Sequence, residues 1–256
     1  MNITIIGSGN VATILGKLFK ENNHVVKEIV GRNKITARSL AEILDAGFCS
    51  SLQQMNKDSD IFVIAVKDDA VVEVSTQLSL NEKTVVHTCG SVPAKVLEQI
   101  SKNYGVLYPL QSLRKELNYS PVIPFLVDGN NDITRESIFN FASSVSDSVT
   151  VADDKMRLHY HLSAIIVSNF SNHLFALAKE YCDNNNTDFK LLLPLIEQTV
   201  HRMHHYDPAA MQTGPAARGD EITLQKHLVL LQTFPELQKI YMLMSESIRH
   251  YTNSND

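Results

Sequence analysis

Short apolar runs alternate with amphipathic stretches over the first 151 residues of the chain. The apolar and β-branched runs predict strands at residues 2–6, 24–30, 60–66, 84–87, 106–108, 123–127 and 148–151. Apolar residues at helical spacing between these runs predict helices at residues 11–19, 35–45, 70–78, 93–100 and 133–144. The alternation is typical of an α/β fold of the Rossmann type, with a doubly wound, mostly parallel sheet.

The pattern changes near residue 152. From 153 to 182 the chain has no glycine or proline, and its apolar residues recur at helical spacing, which predicts one long helix. Segment 207–219 contains prolines and glycines and cannot be helical throughout. Further helices are predicted at 191–203, 224–233 and 236–251. We therefore predict two domains, an α/β domain at residues 1–151 and an all-α domain at residues 152–256.

The turn after the first predicted strand has the GxGxxA spacing of dinucleotide-binding loops. Gly7 allows the sharp turn, Gly9 leaves room for a phosphate, and Ala12 lets the helix pack closely on the strand. Free N–H groups and the helix dipole would then face a pyrophosphate. An ordinary glycine-rich turn is the weaker alternative, because this turn joins a strand to a helix. The predicted cofactor contacts in this turn are Gly7, Ser8, Gly9, Asn10 and Val11.

The end of the second predicted strand bears on the choice between NAD and NADP. NAD-binding domains place an acid there for the ribose 2′-hydroxyl, whereas NADP-binding domains often offer an arginine to the 2′-phosphate. Glu28 lies inside the strand, too early for the first role, and Arg32 and Asn33 occupy the loop. The pattern favours NADP, with Arg32 and Asn33 as contacts. The alternative is that Arg32 is a solvated surface charge.

Loops after the later strands lie where ligands bind in open α/β sheets, at the carboxyl ends of the strands. Val66 belongs to one such loop, and Thr88 and Gly90 belong to the next, so all three are predicted cofactor contacts. Ser91 would either face the ligand or cap the helix predicted at 93–100. Segment 108–112 (YPLQS) follows another strand and suits a contact with substrate or nicotinamide.

The long helix predicted at 153–182 carries polar residues among its apolar ones. His161, Ser168 and Asn172 share one face, and Asn169 lies on a neighbouring face. Such residues usually satisfy a buried polar network. The sharper hypothesis is that the helix lines a cleft in which His161 is the general acid, since imidazole titrates near neutral pH.

Segment 213–220 (TGPAARGD) combines glycine and proline with a neighbouring arginine and aspartate. Arg218 could bind a carboxylate or phosphate through two hydrogen bonds. Asp220 could orient Arg218 or cap the helix that follows.

Three histidines, His201, His204 and His205, fall close together near the end of another predicted helix. No HExxH motif is present, and no cysteine or carboxylate stands at ligand spacing nearby. A solvated helix face is therefore favoured over zinc, and we predict no metal.

Net charge, cysteine spacing and the lengths of the apolar runs limit the kinds of partner and cellular location that we expect. A net charge of −5 argues against nucleic acid as the main partner, because DNA binding normally needs a basic face. Cys49, Cys89 and Cys182 are widely spaced, which favours reduced thiols in a cytoplasm over a disulfide framework. No leader-like segment precedes the first strand, and the apolar runs are short for a membrane span. We expect a cytoplasmic protein with a small-molecule substrate and neither nucleic acid nor membrane as a partner.

Several sequence motifs, taken in their order along the chain, resemble those of a known family. The chain is similar to bacterial Rossmann-like proteins that carry a C-terminal domain of unknown function and are labelled NADP oxidoreductases of the deazaflavin-dependent type. The motifs that carry the resemblance are GSGNVA, AVKDDAV, HTCGS, YPLQS, YHLSA followed by SN, and TGPAARGD. More distantly, the layout resembles pyrroline-5-carboxylate reductase and the 6-phosphogluconate and 3-hydroxyacid dehydrogenases, which pair a Rossmann domain with a helical domain that often dimerises.

The resemblance implies a cofactor, a site and an assembly. It implies NADP on the first glycine-rich turn and Arg32, and a helical domain like that of 6-phosphogluconate dehydrogenase that serves substrate binding and dimerisation. It also implies a site between the domains near Thr88, Gln111, His161, Asn169 and Arg218. Hydroxyacid dehydrogenases use a lysine with an asparagine one helical turn later. Here Lys155 is followed by His159, so hydroxyacid chemistry is disfavoured.

The expected function is hydride transfer between NADP(H) and a small carbonyl or imine, with His161, Asn169 and Arg218 as catalytic candidates. One alternative is a module that binds or senses NADP(H) without turnover, since fold does not settle function. Hydride exchange with a deazaflavin is another. A homodimer built mainly from the helical domain is expected.

Overall fold

The computed structural model describes residues 1–117 and 121–253. The chain forms two compact units, Met1–Asn169 and Phe170–Asp256. The predicted domain division at residues 151 and 152 separates element types, whereas the first compact unit extends further along the chain. That predicted division stays a prediction.

A single mostly parallel sheet organises the first unit. Its order is β3-β2-β1-β4-β5-β6-β7-β8, and among these strands only the β6–β7 pair is antiparallel. The strands within the described residues are β1 (Asn2–Ile6), β2 (Val25–Val30), β3 (Gly47–Cys49), β4 (Ile61–Ile64), β5 (Asn81–His87), β6 (Ser101–Pro109), β7 (Phe125–Gly129) and β8 (Val149–Val151). The predicted Rossmann-type fold is confirmed.

Helices cover both faces of the sheet, as parallel strands require. Phe19 and Phe141 lie in the buried layer on one face, and Val71 and Leu97 lie in the layer on the other. The helices of this unit are α1 (Asn10–Glu21), α2 (Lys34–Leu44), α3 (Asp68–Gln77), α4 (Asp132–Ser143) and α5 (Asp154–Ala164). Side-chain caps start three of them, because Asn33, Asn131 and Asp153 accept bonds from N–H groups of the first turn.

One local prediction is wrong, and one strand was not predicted. The helix predicted at 93–100 is only a 3₁₀ turn, Ala94–Leu97, because β6 already begins at Ser101. Leu97 and Ile100 are both buried, and their i, i+3 spacing suits a 3₁₀ turn as well as an α-helix. Strand β3 was not predicted, because three residues at a sheet edge are too few to show a periodic pattern.

The second unit is helical, as predicted for this half of the chain. It contains α6 (Ser171–Asn184), α7 (Leu193–Arg202), α8 (Glu221–Leu230), α9 (Pro235–Asn253) and a 3₁₀ turn at Phe189–Leu192. The long helix predicted at 153–182 is α5 and α6 joined by a π-helical segment, Ile165–Phe170. In residues 1–117 and 121–253, no helix combines the length and the apolar character that a membrane span needs.

Candidate active site

Strand order reverses between β1 and β4, and this reversal creates the crevice of the sheet. Strands β2 and β3 follow on one side of β1, and β5 to β8 follow on the far side of β4. The carboxyl ends of β1 and β4 lie side by side, with Ile6 opposite Ile64. Ligands bind at this position in open α/β sheets.

Gly7 makes the tight turn at the mouth of this crevice. Its N–H donates to the Val30 carbonyl at 2.8 Å, and its φ is +130°, a value that favours glycine. A Cβ at this position would lie 2.1 Å from the Ala65 carbonyl oxygen. Position 7 therefore accepts only glycine, for a reason that involves the neighbouring strand.

Gly9 faces open space at the start of α1. It is the N-cap residue of that helix, and a Cβ there would meet no heavy atom within 4 Å. No side chain caps the helix, so N–H groups of its first turn point outward without a protein side-chain acceptor. This arrangement suits the phosphates of a dinucleotide.

The crevice encloses about 740 Å³. This volume lies in the range of small-molecule and cofactor sites, so the residues present fit a nucleotide. The predicted cofactor contacts that line it are Gly7, Ser8, Gly9, Arg32, Asn33 and Val66. Asn10 and Val11 start helix α1 beside it, and Thr88 and Gly90 are buried in the loop after β5.

Arg32 lies on the wall of the crevice formed by the loop after β2. Its side chain is 78% exposed, and Nη1 donates to both carboxylate oxygens of Glu73 on α3 at 3.0 Å. The neighbouring Asn33 uses its side-chain oxygen to cap α2. Glu28 accepts a bond from the Asn56 N–H at 2.9 Å, so its carboxylate already has a backbone partner.

A second polar group lies at the carboxyl ends of β4 and β5. The Ser91 hydroxyl donates a hydrogen bond to the Asp68 carboxylate. Burial, followed by the negative charge of Asp68, raises the pKa of the Cys89 thiol, which therefore stays protonated at neutral pH. The α-helix that Ser91 was expected to cap is absent, so the capping alternative is wrong.

His161 on α5 packs against the loop after β5. Its Nδ1 lies 2.9 Å from the hydroxyl of Tyr108, at the carboxyl end of β6. A Cβ on Gly90 would lie 2.6 Å from the same nitrogen, so only glycine leaves room for the imidazole. Burial raises the pKa of Tyr108, which keeps its hydroxyl protonated and able to donate. When Tyr108 donates to Nδ1, the proton of a neutral His161 lies on Nε2.

Arg157 is a buried residue that sequence reasoning missed. Its Nη2 donates to the Val92 carbonyl at 2.5 Å and pairs with Asp154 at 2.7 Å, and its side chain is 1% exposed. Desolvation, followed by the positive charge of Arg157, lowers the pKa of His87 to about 4. The available sequence signal was the i, i+3 pairing of Asp154 and Arg157 in the first turn of a helix.

The remaining predicted site residues make no contact with the Tyr108–His161 pair among the hydrogen bonds of the described residues. Asn169 is an exposed residue of the π-helical segment. Arg218 is exposed in the second unit, and Asp220 caps α8 by accepting from the Thr223 N–H and hydroxyl. These two bonds, with a smaller contribution from Arg218, lower the pKa of Asp220. Gln111 donates to the Val122 carbonyl.

The polar face predicted on the long helix does not form a buried network within the single chain. Asn169 and Asn172 are exposed, and Ser168 is half-buried. His201, His204 and His205 have ring centroids 5.4–6.4 Å apart and are exposed. In the part of the chain that the structure describes, no group of three or more His, Cys, Asp or Glu side chains could hold a metal ion.

Two families match consecutive parts of the chain. Residues 2–90 match the family described as "NADP oxidoreductase coenzyme F420-dependent". Residues 123–248 match a domain of unknown function, DUF2520. A search of curated proteins finds no match.

Solved structures share the fold over nearly the whole length. The "putative NADP oxidoreductase" of Bacteroides fragilis is 33% identical, with a TM-score of 0.91 and coverage of 97% of this chain and 98% of its own. The 1-pyrroline-5-carboxylate reductase of Streptococcus pyogenes is 17% identical, with a TM-score of 0.63 and 98% coverage of both chains. An imine reductase of Myxococcus stipitatus, solved with NADP⁺, is 16% identical, with a TM-score of 0.66 and coverage of 99% and 95%.

Proposed function

This chain belongs to the family of the Bacteroides fragilis protein and itself joins an oxidoreductase-type nucleotide-binding domain to DUF2520, and on that premise we propose that it is an NADP-dependent oxidoreductase. It transfers a hydride between NADP(H) and a small carbonyl or imine. The observation that carries the proposal is the pairing of Tyr108 with His161 against Gly90. This pairing supplies a proton donor at the same sheet edge as the nucleotide crevice.

The crevice supports NADP over NAD. Arg32 offers an exposed guanidinium in the loop where a 2′-phosphate is bound in NADP enzymes. Glu28, the acid nearest that position in β2, is engaged by the Asn56 backbone. Imine and pyrroline-carboxylate reductases among the structural neighbours support a substrate with a C=N or C=O bond.

Residues of this chain supply position and a proton. NADPH, when bound, supplies the hydride to the substrate carbon. His161 holds a proton on Nε2 and delivers it to the nitrogen or oxygen that loses its π bond, so the product gains one hydride and one proton. Tyr108 holds the imidazole in the tautomer that this step needs. Arg218 anchors an anionic group of the substrate, and Asn169 remains a candidate contact.

The proposal is tested by measuring first nucleotide binding and then substrate turnover. NADPH fluorescence should report binding, and NADPH oxidation should be screened on cyclic imines, 1-pyrroline-5-carboxylate and 2-oxo acids. His161→Ala should lower kcat by about 10²–10⁴-fold with NADPH affinity intact. Arg218→Ala should mainly raise KM for substrates that carry a carboxylate. Binding without turnover on every substrate would favour a module that senses NADP(H).

Tyr108→Phe separates a positioning role from a structural one. We expect a lower kcat and a changed pH profile of kcat, because the imidazole loses the partner of Nδ1. Ser91→Ala is the matched control, since it also removes one hydroxyl at this sheet edge but leaves the His161 bond in place. An unchanged pH profile in Tyr108→Phe would remove the pair from the mechanism.

A deazaflavin is the second candidate for the hydride partner. It is supported by the description of the family that matches residues 2–90. Direct reduction of a deazaflavin by NADPH in the presence of this protein, followed at the deazaflavin absorbance band, tests it. Turnover of an imine without deazaflavin would instead support the first proposal.

A further inference from the structure

Arg32 and Glu73 form an ion pair across the crevice, and in the described residues it is the only ion pair that joins two of its lining side chains. Arg32 lies in the loop after β2 and Glu73 lies on α3, and the two residues are 41 positions apart in sequence. Both side chains line the crevice and are substantially exposed, at 78% and 49%. The Glu73 carboxylate therefore binds the same Arg32 guanidinium that, in the proposed function, binds the 2′-phosphate of the cofactor.

We propose that Glu73 competes with the 2′-phosphate of NADP(H) for Arg32 and so sets how strongly the protein prefers NADP(H) to NAD(H). The inference rests on the proposed NADP-dependent function. Both carboxylate oxygens of Glu73 accept from Arg32 Nη1. A phosphate that binds this nitrogen must therefore displace the carboxylate or share the donor with it. A carboxylate beside a phosphate also repels it, since both are anions.

The competition distinguishes the two cofactors. NAD(H) carries a neutral hydroxyl at the 2′ position, which neither needs the guanidinium nor is repelled by the carboxylate. Glu73 therefore weakens the binding of NADP(H) and leaves that of NAD(H) almost unchanged. The residue limits a preference that Arg32 creates.

Glu73→Gln tests this inference, because glutamine keeps the shape and the helix propensity of glutamate but removes its charge. An exposed ion pair has a modest strength, so we expect NADPH affinity to rise about two- to fivefold at low ionic strength. NADH affinity should stay within error. The gain should shrink as salt increases, since salt screens exposed charges.

Glu82→Gln is the matched control. Glu82 is also an exposed glutamate paired with a single cation, Lys102, but it lies at the amino end of β5, away from the crevice. The control should leave the affinities for both nucleotides unchanged. An equal gain in Glu82→Gln would show that overall charge causes the effect and would overturn the proposal.

A double-mutant cycle with Arg32→Ala identifies the mechanism. If Glu73 acts mainly through Arg32, Glu73→Gln should raise NADPH affinity much less in the Arg32→Ala background, where only the direct repulsion between carboxylate and phosphate is removed. The role of Glu73 would be overturned by an equal gain in both backgrounds, or by no gain or a loss in the wild-type background. None of these results would contradict the proposed function. A wild-type protein that binds neither NADPH nor NADH would overturn the proposed function as well.

Discussion

Gly7 and Gly9 stand in the same turn, yet they are needed for opposite reasons. Gly7 has a positive φ and no room for a Cβ, because the Ala65 carbonyl lies where that atom would be. Gly9 has an ordinary extended backbone and open space around it. The first glycine is therefore required by the fold, and the second is required only by a ligand. The difference allows binding to be tested without loss of the fold.

Gly9→Val should strongly weaken NADPH binding while the protein stays folded. The branched side chain enters the space in front of the α1 N-terminus, where the proposed pyrophosphate lies, and its Cβ has no protein atom within 4 Å. Fluorescence titration should show at least a tenfold weaker affinity, and the melting temperature should stay close to that of the wild type. Unchanged NADPH affinity would contradict the assignment of the GxGxxA turn to dinucleotide binding.

His87 should make the folded state less stable as pH falls from about 6.5 to about 4. The folded state keeps this histidine neutral down to about pH 4, whereas the unfolded chain binds the proton below about 6.5. The unfolded state therefore binds more protons in this window, and the free energy of unfolding decreases by up to ~1.4 kcal/mol per pH unit. Above this window the contribution is fully present.

His87→Asn should flatten that dependence, because asparagine does not titrate but can still accept the bond from the Cys89 N–H. Urea unfolding at several pH values between 4 and 7 measures the slope. His173→Asn, at an exposed position of α6, is the control and should keep the wild-type slope. If His87→Asn keeps the wild-type dependence of unfolding free energy on pH, the prediction is contradicted.

At the scale of elements, α5 is held to the loop after β5 by backbone and charge contacts. Asp154 accepts from the Ala94 N–H at 3.0 Å, and Arg157 donates to the Val92 carbonyl. His161 lies one helical turn further along the same element. The contacts at the start of α5 therefore fix the helix that presents the proposed proton donor.

Asp154→Asn should destabilise the fold by about 1–3 kcal/mol. It leaves the buried Arg157 guanidinium without its paired carboxylate, although the 45% exposure of Asp154 reduces the cost below that of a fully buried pair. Asp183→Asn is the matched control, because its pair with Lys179 is exposed on both sides and should contribute at most about 0.5 kcal/mol. Urea unfolding midpoints compare the two. Equal, small effects would contradict the anchoring role.

At the scale of the whole molecule, the second unit exposes many large apolar side chains. Leu191 is 78% exposed, Leu195 is 62%, Ile222 is 72% and Leu243 is 68%. Apolar surface of this kind usually marks an interaction site, because a monomer rarely leaves so many apolar side chains in water. We propose that this surface is buried in a homodimer formed mainly by the helical part of the chain.

Light scattering at micromolar concentration should give twice the chain mass of 28.6 kDa. Leu195→Asp on α7 should shift the protein toward the monomer, because a carboxylate would be buried in the interface. Ile35→Asp is the control, since Ile35 is 83% exposed but lies on α2 of the sheet unit. A wild-type monomer would refute the assembly.

The sequence alone determined the fold class and the position of the nucleotide crevice. Both follow from local patterns: strand and helix periodicities, and the GxGxxA turn between β1 and α1. The same patterns were insufficient for β3, which is too short to show a period, and for the 3₁₀ turn Ala94–Leu97, whose apolar spacing fits two kinds of helix.

Only the tertiary structure decided which side chains meet. Tyr108 and His161 are 53 positions apart, and Arg32 and Glu73 are 41 apart. Their pairing depends on the order of the strands and on how α3 and α5 pack, which no local pattern encodes. The burial of Arg157 has the same origin, because a charge on an amphipathic helix is expected in water unless other elements cover it. Local periodicity therefore determined the scaffold, and long-range packing decided the chemistry placed on it.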